Sequence, residues 1–382
     1  MQKIILALSF IFLFIPIKMS FANDYSNDYP NNQIYKSLEK ENKVLELRKK
    51  LPNETLKNLE NIGIDGTSLE NISKIQPTNI LSLITSQIKN TFKKIIKPIL
   101  LTITIILLCS IFKNFSSEFN KKFSNDIINL ICVLTLSIFI VNPIINTINC
   151  ISNVLRLSCK LLLCYIPIIS GLMLSNGKVL SSYVHSNFLV GFANLVLQIS
   201  SVFFIPILNL LLAFAVVASI TSYTNLFCLY INFLKITKIV LGLLVTIFIG
   251  FFSMKVTVNL AMEDAGTRSL KFLLGSCVPI VGKALGEATS TIKSCINVLK
   301  SGTSLFFTIS MFITFLPQIV ECILWYLTAN ICSSIGEIFD IKCTQKLLKS
   351  IAEIMSVLIV MILCFLVIII ASTIVVVKTA ES

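Results

Sequence analysis

The sequence predicts an all-α, polytopic membrane protein with about seven transmembrane helices, in a range of six to eight, plus amphipathic interfacial helices. Three observations carry that prediction. From Val179 to Leu234 the chain holds no Asp, Glu, Lys or Arg, far longer than the roughly 20 apolar residues that cross a hydrocarbon core about 30 Å thick. Hydrophobic residues make up 55% of the 382 and charged ones 13%, where a soluble domain carries about 25% charged. Mean hydropathy is +0.87, and apolar runs separated by charged loops recur from Pro98 onward.

The N-terminus has the form of an export signal: Lys3, an apolar run over Ile4–Ile17, then Ser20-Phe21-Ala22 in the small-x-small pattern of a cleavage site. Residues 1–22 are therefore expected to be a signal peptide, with cleavage after Ala22. Residues 23–97 form a short exported region. Asn23–Gln33 is polar and rich in Asn, as tethers are. Ile34–Leu51 suits a short amphipathic helix ended by Pro52, and Thr67-Ser68-Leu69-Glu70 reads as a capping box. From Thr78, Leu81, Ile84, Ile88, Phe92 and Ile95 recur at helical spacing between Lys89, Lys93 and Lys94, a pattern for a helix lying on the membrane surface.

Residues 98–382 form the membrane domain. Its predicted spans are Pro98–Phe112, Ile127–Ile148, Cys159–Leu174, Phe188–Val217, Ile236–Phe252, Thr303–Ile331 and Ile354–Val377. Cys159–Leu174 is short and holds Pro167 and Gly171, which suits a re-entrant segment. Pro206 predicts a kink or steep tilt in the fourth span, and Pro317 a break in the sixth. With an exported N-terminal region, seven spans place the C-terminus in the cytoplasm. Eleven loop cations, Lys113 and Arg268 among them, then lie inside against six outside, Lys238 and Lys342 among them, as the positive-inside rule expects.

The +13 net charge is spread over loops, without the basic and aromatic interleaving of a nucleic-acid groove. The 12 Cys lie outside Asn23–Lys97 and mostly in apolar runs, among them Cys109 and Cys132, where free Cys acts as a small apolar residue. With no CxxC and a lone His185, no metal site or cofactor is expected. No HExxH, GxSxG, Walker loop or intramembrane Asp pair is present, so no enzyme is expected. Glu321 is the acidic residue deep in an apolar run. It reads either as an intramembrane polar site for a proton, an ion or a partner Lys, or as a residue near water beside a helix break at Pro317-Gln318. Gln198 and Asn209 suit interhelical hydrogen bonds.

Lys255–Gly302 is charged and amphipathic. Leu285, Ala288, Ile292, Cys295 and Leu299 form a 3-4-3-4 stripe, and Phe272-Leu273-Leu274-Gly275 and Val278-Pro279-Ile280-Val281-Gly282 form an apolar piece too short to span. The span count faces this segment to the cytoplasm. Asp264, Arg268, Lys271, Phe272, Pro279 and Gly282 are its candidate partner-coupling residues, with Asp264 and Arg268 one helical turn apart. The run Glu263-Asp264-Ala265-Gly266-Thr267-Arg268-Ser269-Leu270-Lys271-Phe272, with Gly275, Val278-Pro279-Ile280-Val281-Gly282 and Ala288, closely resembles the stage III sporulation protein AE family of endospore-forming Firmicutes. The Ile-, Lys- and Asn-rich composition is similar to clostridial chains.

That resemblance implies a non-enzymatic, multi-pass component of the mother-cell membrane around the forespore. It implies a place in a secretion-like complex needed for forespore development and late forespore gene expression. The implied partners are other proteins of the stage III sporulation A set, including a secretion-type ATPase and ring-forming subunits, with stage II sporulation protein Q met indirectly. Membrane lipids are expected as partners and nucleic acid is not. The alternative is an autonomous solute or ion transporter using Glu321 and Pro-broken helices. Such transporters are commonly built from internal repeats, and no convincing repeat relates the two halves of this sequence.

Overall fold

A computed structural model describes residues 48–64, 77–116, 123–175, 179–220, 224–261 and 302–381. The described residues are helical, with no strand among them. In chain order the helices are α1 (Asn53–Ile62), α2 (Pro77–Ser116), α3 (Phe123–Ser175), α4 (Val179–Gln198), a π-helical turn (Ile199–Phe204), α5 (Ile205–Ile220), α6 (Thr224–Ala261), α7 (Gly302–Ile338) and α8 (Lys342–Glu381). Six helical rods are long and apolar enough to cross a membrane, with α4, the π turn and α5 counting as one. Six is one fewer than the best count from sequence and lies inside its range.

The difference comes from α3. Ile127–Ile148 and Cys159–Leu174 are parts of one uninterrupted helix of 53 residues, with Pro143 and Pro167 inside it. The second of these runs is therefore neither a separate span nor re-entrant. The polar residues between them stay helical because they fall on one face, while Ile144, Ile148, Ile151, Leu155 and Cys159 bury the other. Two further expectations are corrected in the same way. α7 runs unbroken through Pro317, and α2 runs unbroken through Pro98. The Lys-bearing half of α2 is thus no separate surface helix. It packs Leu83, Gln87, Thr91 and Ile95 inward, with α2 lying against α3, α7 and α1.

Pro206 acts differently. Its missing N–H would interrupt a regular ladder, and the π turn just before it carries the register change: the Ile205 N–H donates to the Ser200 carbonyl, five residues back. Pro206 then occupies the first turn of α5, where no donor is required.

α8 is the centre of the bundle. Its stretch Ile354–Ile369 holds no charged residue, and Ile351, Ile354, Met355, Leu358, Ile362 and Ile369 are fully buried, the pattern of a helix with neighbours on every side. α7 packs on it most extensively, with α5, α3 and α6 around the rest. The α7–α8 turn is tight. Asp340 adopts a left-handed φ of 52°, a conformation Asp tolerates better than most residues. The Ile341 N–H then reaches back to the Gly336 carbonyl at 2.9 Å, closing α7.

α1 lies in the polar region and was not anticipated. Thr55, Leu59 and Ile62 are buried, with Thr55 Oγ1 3.2 Å from Thr314 Oγ1 of α7. Gly63, at φ 89°, supplies the left-handed cap. The signal peptide, the tether, most of Ile34–Leu51 and the Thr67–Glu70 box lie outside the described residues.

Candidate functional site

Contacts fix which parts of the rods share a depth. At one end of the bundle Lys113 Nζ meets Asp340 Oδ2 at 3.0 Å. At the other, α1 lies against α7 through Thr55 and Thr314, and Tyr165 stacks on Phe307 with centroids 3.9 Å apart. The seven-span scheme put the Lys113 and Lys342 loops on opposite sides of the membrane, and the Lys113–Asp340 contact puts them on the same side. The eleven-to-six charge count loses its basis with that scheme. α7 starts at the α1 end, so the C-terminal junction of Lys255–Gly302 lies at the same end of the bundle as α1, where the seven-span scheme had put the two on opposite sides.

The Lys113 ammonium holds the Asp340 carboxyl below its ordinary range, first through the hydrogen bond and then through its charge.

Glu321 lies in the middle of α7, half-buried and remote from any helix break. Thr147 of α3 donates to Glu321 Oε1 at 2.7 Å. The charges of Glu321 and Lys94 (α2) both act on Cys150, next to that contact on α3. Three helices therefore bring polar groups to one node. One turn before it, Gln318 Oε1 is buried with no hydrogen-bond partner among the described residues.

The node lies beside a longer feature. Asn142, Asn146, Asn149, Asn153, Arg156 and Lys160 are all exposed and follow one another on α3 at steps of 4, 3, 4, 3 and 4 residues. Thr147–Glu321 and Tyr165–Phe307 fix the register of α3 on α7, and Phe315–Phe365 fixes α7 on α8. The stripe is thus level with about Met311–Tyr326 of α7 and Ile354–Ile369 of α8, at the 1.5 Å helical rise. The Ser170–Ser186 contact sets α4 against α3, and at the same depth the α4–α5 rod exposes Val202, Phe203 and Leu210. At the same depth α2 exposes Lys89, Lys93, Lys94 and Lys97 and α1 lies against Thr314, so this level of the bundle has a charged side as well as the apolar face of the α4–α5 rod.

A second polar contact was missed from sequence. Lys238 of α6 forms an ion pair with Glu353 of α8, both side chains mostly buried. Nearby, the Tyr230 hydroxyl donates to the Ser350 carbonyl at 3.0 Å, and Lys346 sits over the Phe227 ring. Lys238 interrupts an otherwise apolar stripe of α6 with Ile231, Leu234 and Leu241, whereas Glu353 continues a polar one with Lys346, Lys349 and Ser350, and their pairing is invisible in one dimension.

Two other readings change. Cys109 and Cys132 are joined as a disulfide between α2 and α3, with Cα atoms 6.1 Å apart, so these two are not free. Asn209 Oδ1 is buried without a hydrogen-bond partner among the described residues, so that oxygen makes no interhelical bond. Asp264, Arg268, Lys271, Phe272, Pro279 and Gly282 lie outside the described residues. His185 lies on α4, and no three-residue cluster of metal-ligating side chains occurs among the described residues.

The family model described as stage III sporulation protein AE matches residues 61–378, from the last turn of α1 through α8. The chain belongs to that family. The match takes in all six rods, so membership concerns the membrane body itself and carries a role in sporulation. Comparison with curated proteins and with solved structures returned no match.

Proposed function

We propose that this protein is a non-enzymatic membrane subunit of the mother-cell complex that joins mother cell and forespore across the envelope, and that it supports forespore development and late forespore gene expression. The observation that carries this reading is the family match over the entire six-rod body. A chain whose family identity resides in its spans acts within the membrane.

The partners of this reading are the stage III sporulation A-set proteins, including the secretion-type ATPase and ring-forming subunits, with stage II sporulation protein Q reached through them. Lys255–Gly302 serves as a coupling segment through Asp264, Arg268, Lys271, Phe272, Pro279 and Gly282. Glu321, clamped by Thr147, serves as an anchor between α7 and α3 in this reading. An in-frame deletion in sporulating cells tests it. Late forespore reporter expression and heat-resistant spore counts should collapse and return on complementation. Normal spore formation in the deletion strain contradicts the reading.

A further inference from the structure

We propose that the groove between α6 and α8 at the Asp340 end of the bundle holds the phosphate of an anionic phospholipid, gripped by Lys235, Lys346 and Lys349. The inference concerns the lipid around this chain and does not depend on its membership of a complex.

The two helices set these lysines together. Lys346 sits over the Phe227 ring, 5.5 Å from its centroid, and Lys238 pairs with Glu353. Between them the Tyr230 hydroxyl donates to the Ser350 carbonyl. These contacts run α6 alongside α8 in the same direction, both leading away from the Asp340 end. On α8, Lys346, Lys349 and Glu353 follow at steps of 3 and 4 residues and share one edge. On α6, Phe227, Ile231, Lys235 and Lys238 follow at steps of 4, 4 and 3, which places Lys235 on the edge that Phe227 and Lys238 turn toward α8. Lys235 and Lys349 are exposed and Lys346 is half-buried, its ammonium held at the groove by the aromatic ring.

Charge makes this groove an anion site. Glu353 is matched by Lys238, and Asp340 by Lys113 and, at 4.0 Å, by Lys342. Glu337 stands on the last turn of α7, nearer the bundle end than Lys346 or Lys349. Lys235, Lys346 and Lys349 form no ion pair with a carboxylate among the described residues. The connections outside the described residues at this end are 117–122 and 221–223, and their one acidic residue, Glu118, is followed by Lys121 and Lys122. Residues 1–47, 65–76 and 262–301, which carry the remaining acidic residues outside the described helices, join those helices at the α1 end. Three cations are thus left together.

The surroundings select lipid as the source of the anion. At the depth of the groove α6 exposes Leu229, Phe233, Ile236 and Ile239. α7 exposes Leu327 and Ile331, as far from Asp340 along α7 as Glu353 and Lys349 are along α8. Lysines set in so apolar a surface extend their stems toward the headgroup level, and a basic pocket between membrane helices is a site for an anionic headgroup. The residue type agrees. Lys offers phosphate a mobile point charge, whereas Arg, whose planar fork suits a carboxylate, is missing from both α6 and α8.

Native mass spectrometry of the full-length protein in mild detergent tests the site, with phosphatidylglycerol and phosphatidylcholine of identical acyl chains as probes. Wild type should bind phosphatidylglycerol about tenfold more tightly. Lys346→Gln/Lys349→Gln should bring that ratio close to one, and Lys235→Gln alone should lower it about threefold, with thermal melts in phosphatidylcholine unchanged. Should the double variant fail to fold, Lys235→Gln carries the test. Lys93→Gln/Lys97→Gln, which alters exposed lysines of α2 outside the groove, should leave the ratio as in wild type. Equal affinity of wild type for the two lipids overturns the site, as does a wild-type ratio in both groove variants. An equal loss in the α2 variant overturns it too, because the preference then follows total charge. Two results replace lipid with another occupant. Displacement of phosphatidylglycerol by millimolar inorganic phosphate makes it a free anion, and a photoreactive residue at position 349 that cross-links in native membranes to protein rather than lipid makes it a partner chain.

Discussion

Thr147→Val removes the hydroxyl that donates to Glu321 while keeping the shape of the side chain. The oxygens are 2.7 Å apart, the usual length for a hydroxyl donor. Hydrogen bonds between membrane helices average about 0.6 kcal/mol and reach about 1.7 kcal/mol, and bonds to charged groups in folded proteins run at about 1.5–3 kcal/mol. Glu321 is half-buried between α7 and α3, so the substitution should cost about 1–2 kcal/mol. Glu321→Gln keeps an acceptor oxygen at the same place and should cost less than about 1 kcal/mol. Glu321→Met removes it. The double variant Thr147→Val/Glu321→Met should then fall short of the summed single costs by about 1–2 kcal/mol. Unfolding of the purified protein in mixed micelles of increasing SDS content, followed by circular dichroism, measures all four. Additive costs, with Thr147→Val below about 0.5 kcal/mol, refute the clamp. Spore counts separate structure from charge: if Glu321→Gln is stable yet fails to sporulate, the carboxylate has a function beyond anchoring.

Carbodiimide treatment of membranes should join Lys113 to Asp340, and Asp340→Asn should abolish the product; its presence in wild type places both loops on one side. Because Lys113 holds the Asp340 carboxyl below its ordinary range, the pair contributes above about pH 3.9 and is lost as pH falls through the lowered value. Wild type and Asp340→Asn should accordingly converge in stability in strong acid, with only a small gap near neutrality for so exposed a pair. Lys238→Met should destabilise by about 2–4 kcal/mol and Lys238→Met/Glu353→Met by clearly less, since a lone carboxylate at that depth is worse than none; equal losses contradict the pairing. Gly63→Ala should cost about 1 kcal/mol in the same unfolding assay, because φ 89° disfavours any Cβ. Arg268→Glu and Lys271→Glu should each abolish sporulation at normal protein level, and wild-type spore counts in both remove Lys255–Gly302 as a coupling segment.

The class of fold was legible because apolar runs of span length have no soluble alternative, and α7 and α8 contain the predicted runs Thr303–Ile331 and Ile354–Val377, α8 starting twelve residues earlier at Lys342. α3 was split because Asn149, Asn153 and Arg156, between the two apolar runs, read as a polar interruption in a linear scan. On the helix they occupy one line and leave the buried face intact. The same oversight hid α1, whose Leu56, Leu59 and Ile62 stand among Lys, Glu and Asn. Pro317 suggested a break and Pro167 a re-entrant segment, yet both lie inside continuous helices, as do Pro98 and Pro143, which neighbours in a membrane bundle allow. Glu321 was found from sequence because a charge in an apolar run is conspicuous. Its partner Thr147 was not, since a Thr in a span carries no such signal. The Lys238–Glu353 pair and the Cys109–Cys132 bond depend on distances between helices, which no local pattern encodes.

The central claim is that this six-rod body works as a membrane subunit of an envelope-spanning sporulation assembly. Affinity purification of a functional tagged copy from sporulating cells, with quantitative mass spectrometry against an untagged strain, tests it most directly. The secretion-type ATPase, the ring-forming subunits and other A-set membrane proteins should be enriched, in constant ratio across detergents. A functional copy that purifies alone under every mild detergent, while its strain sporulates normally, contradicts it.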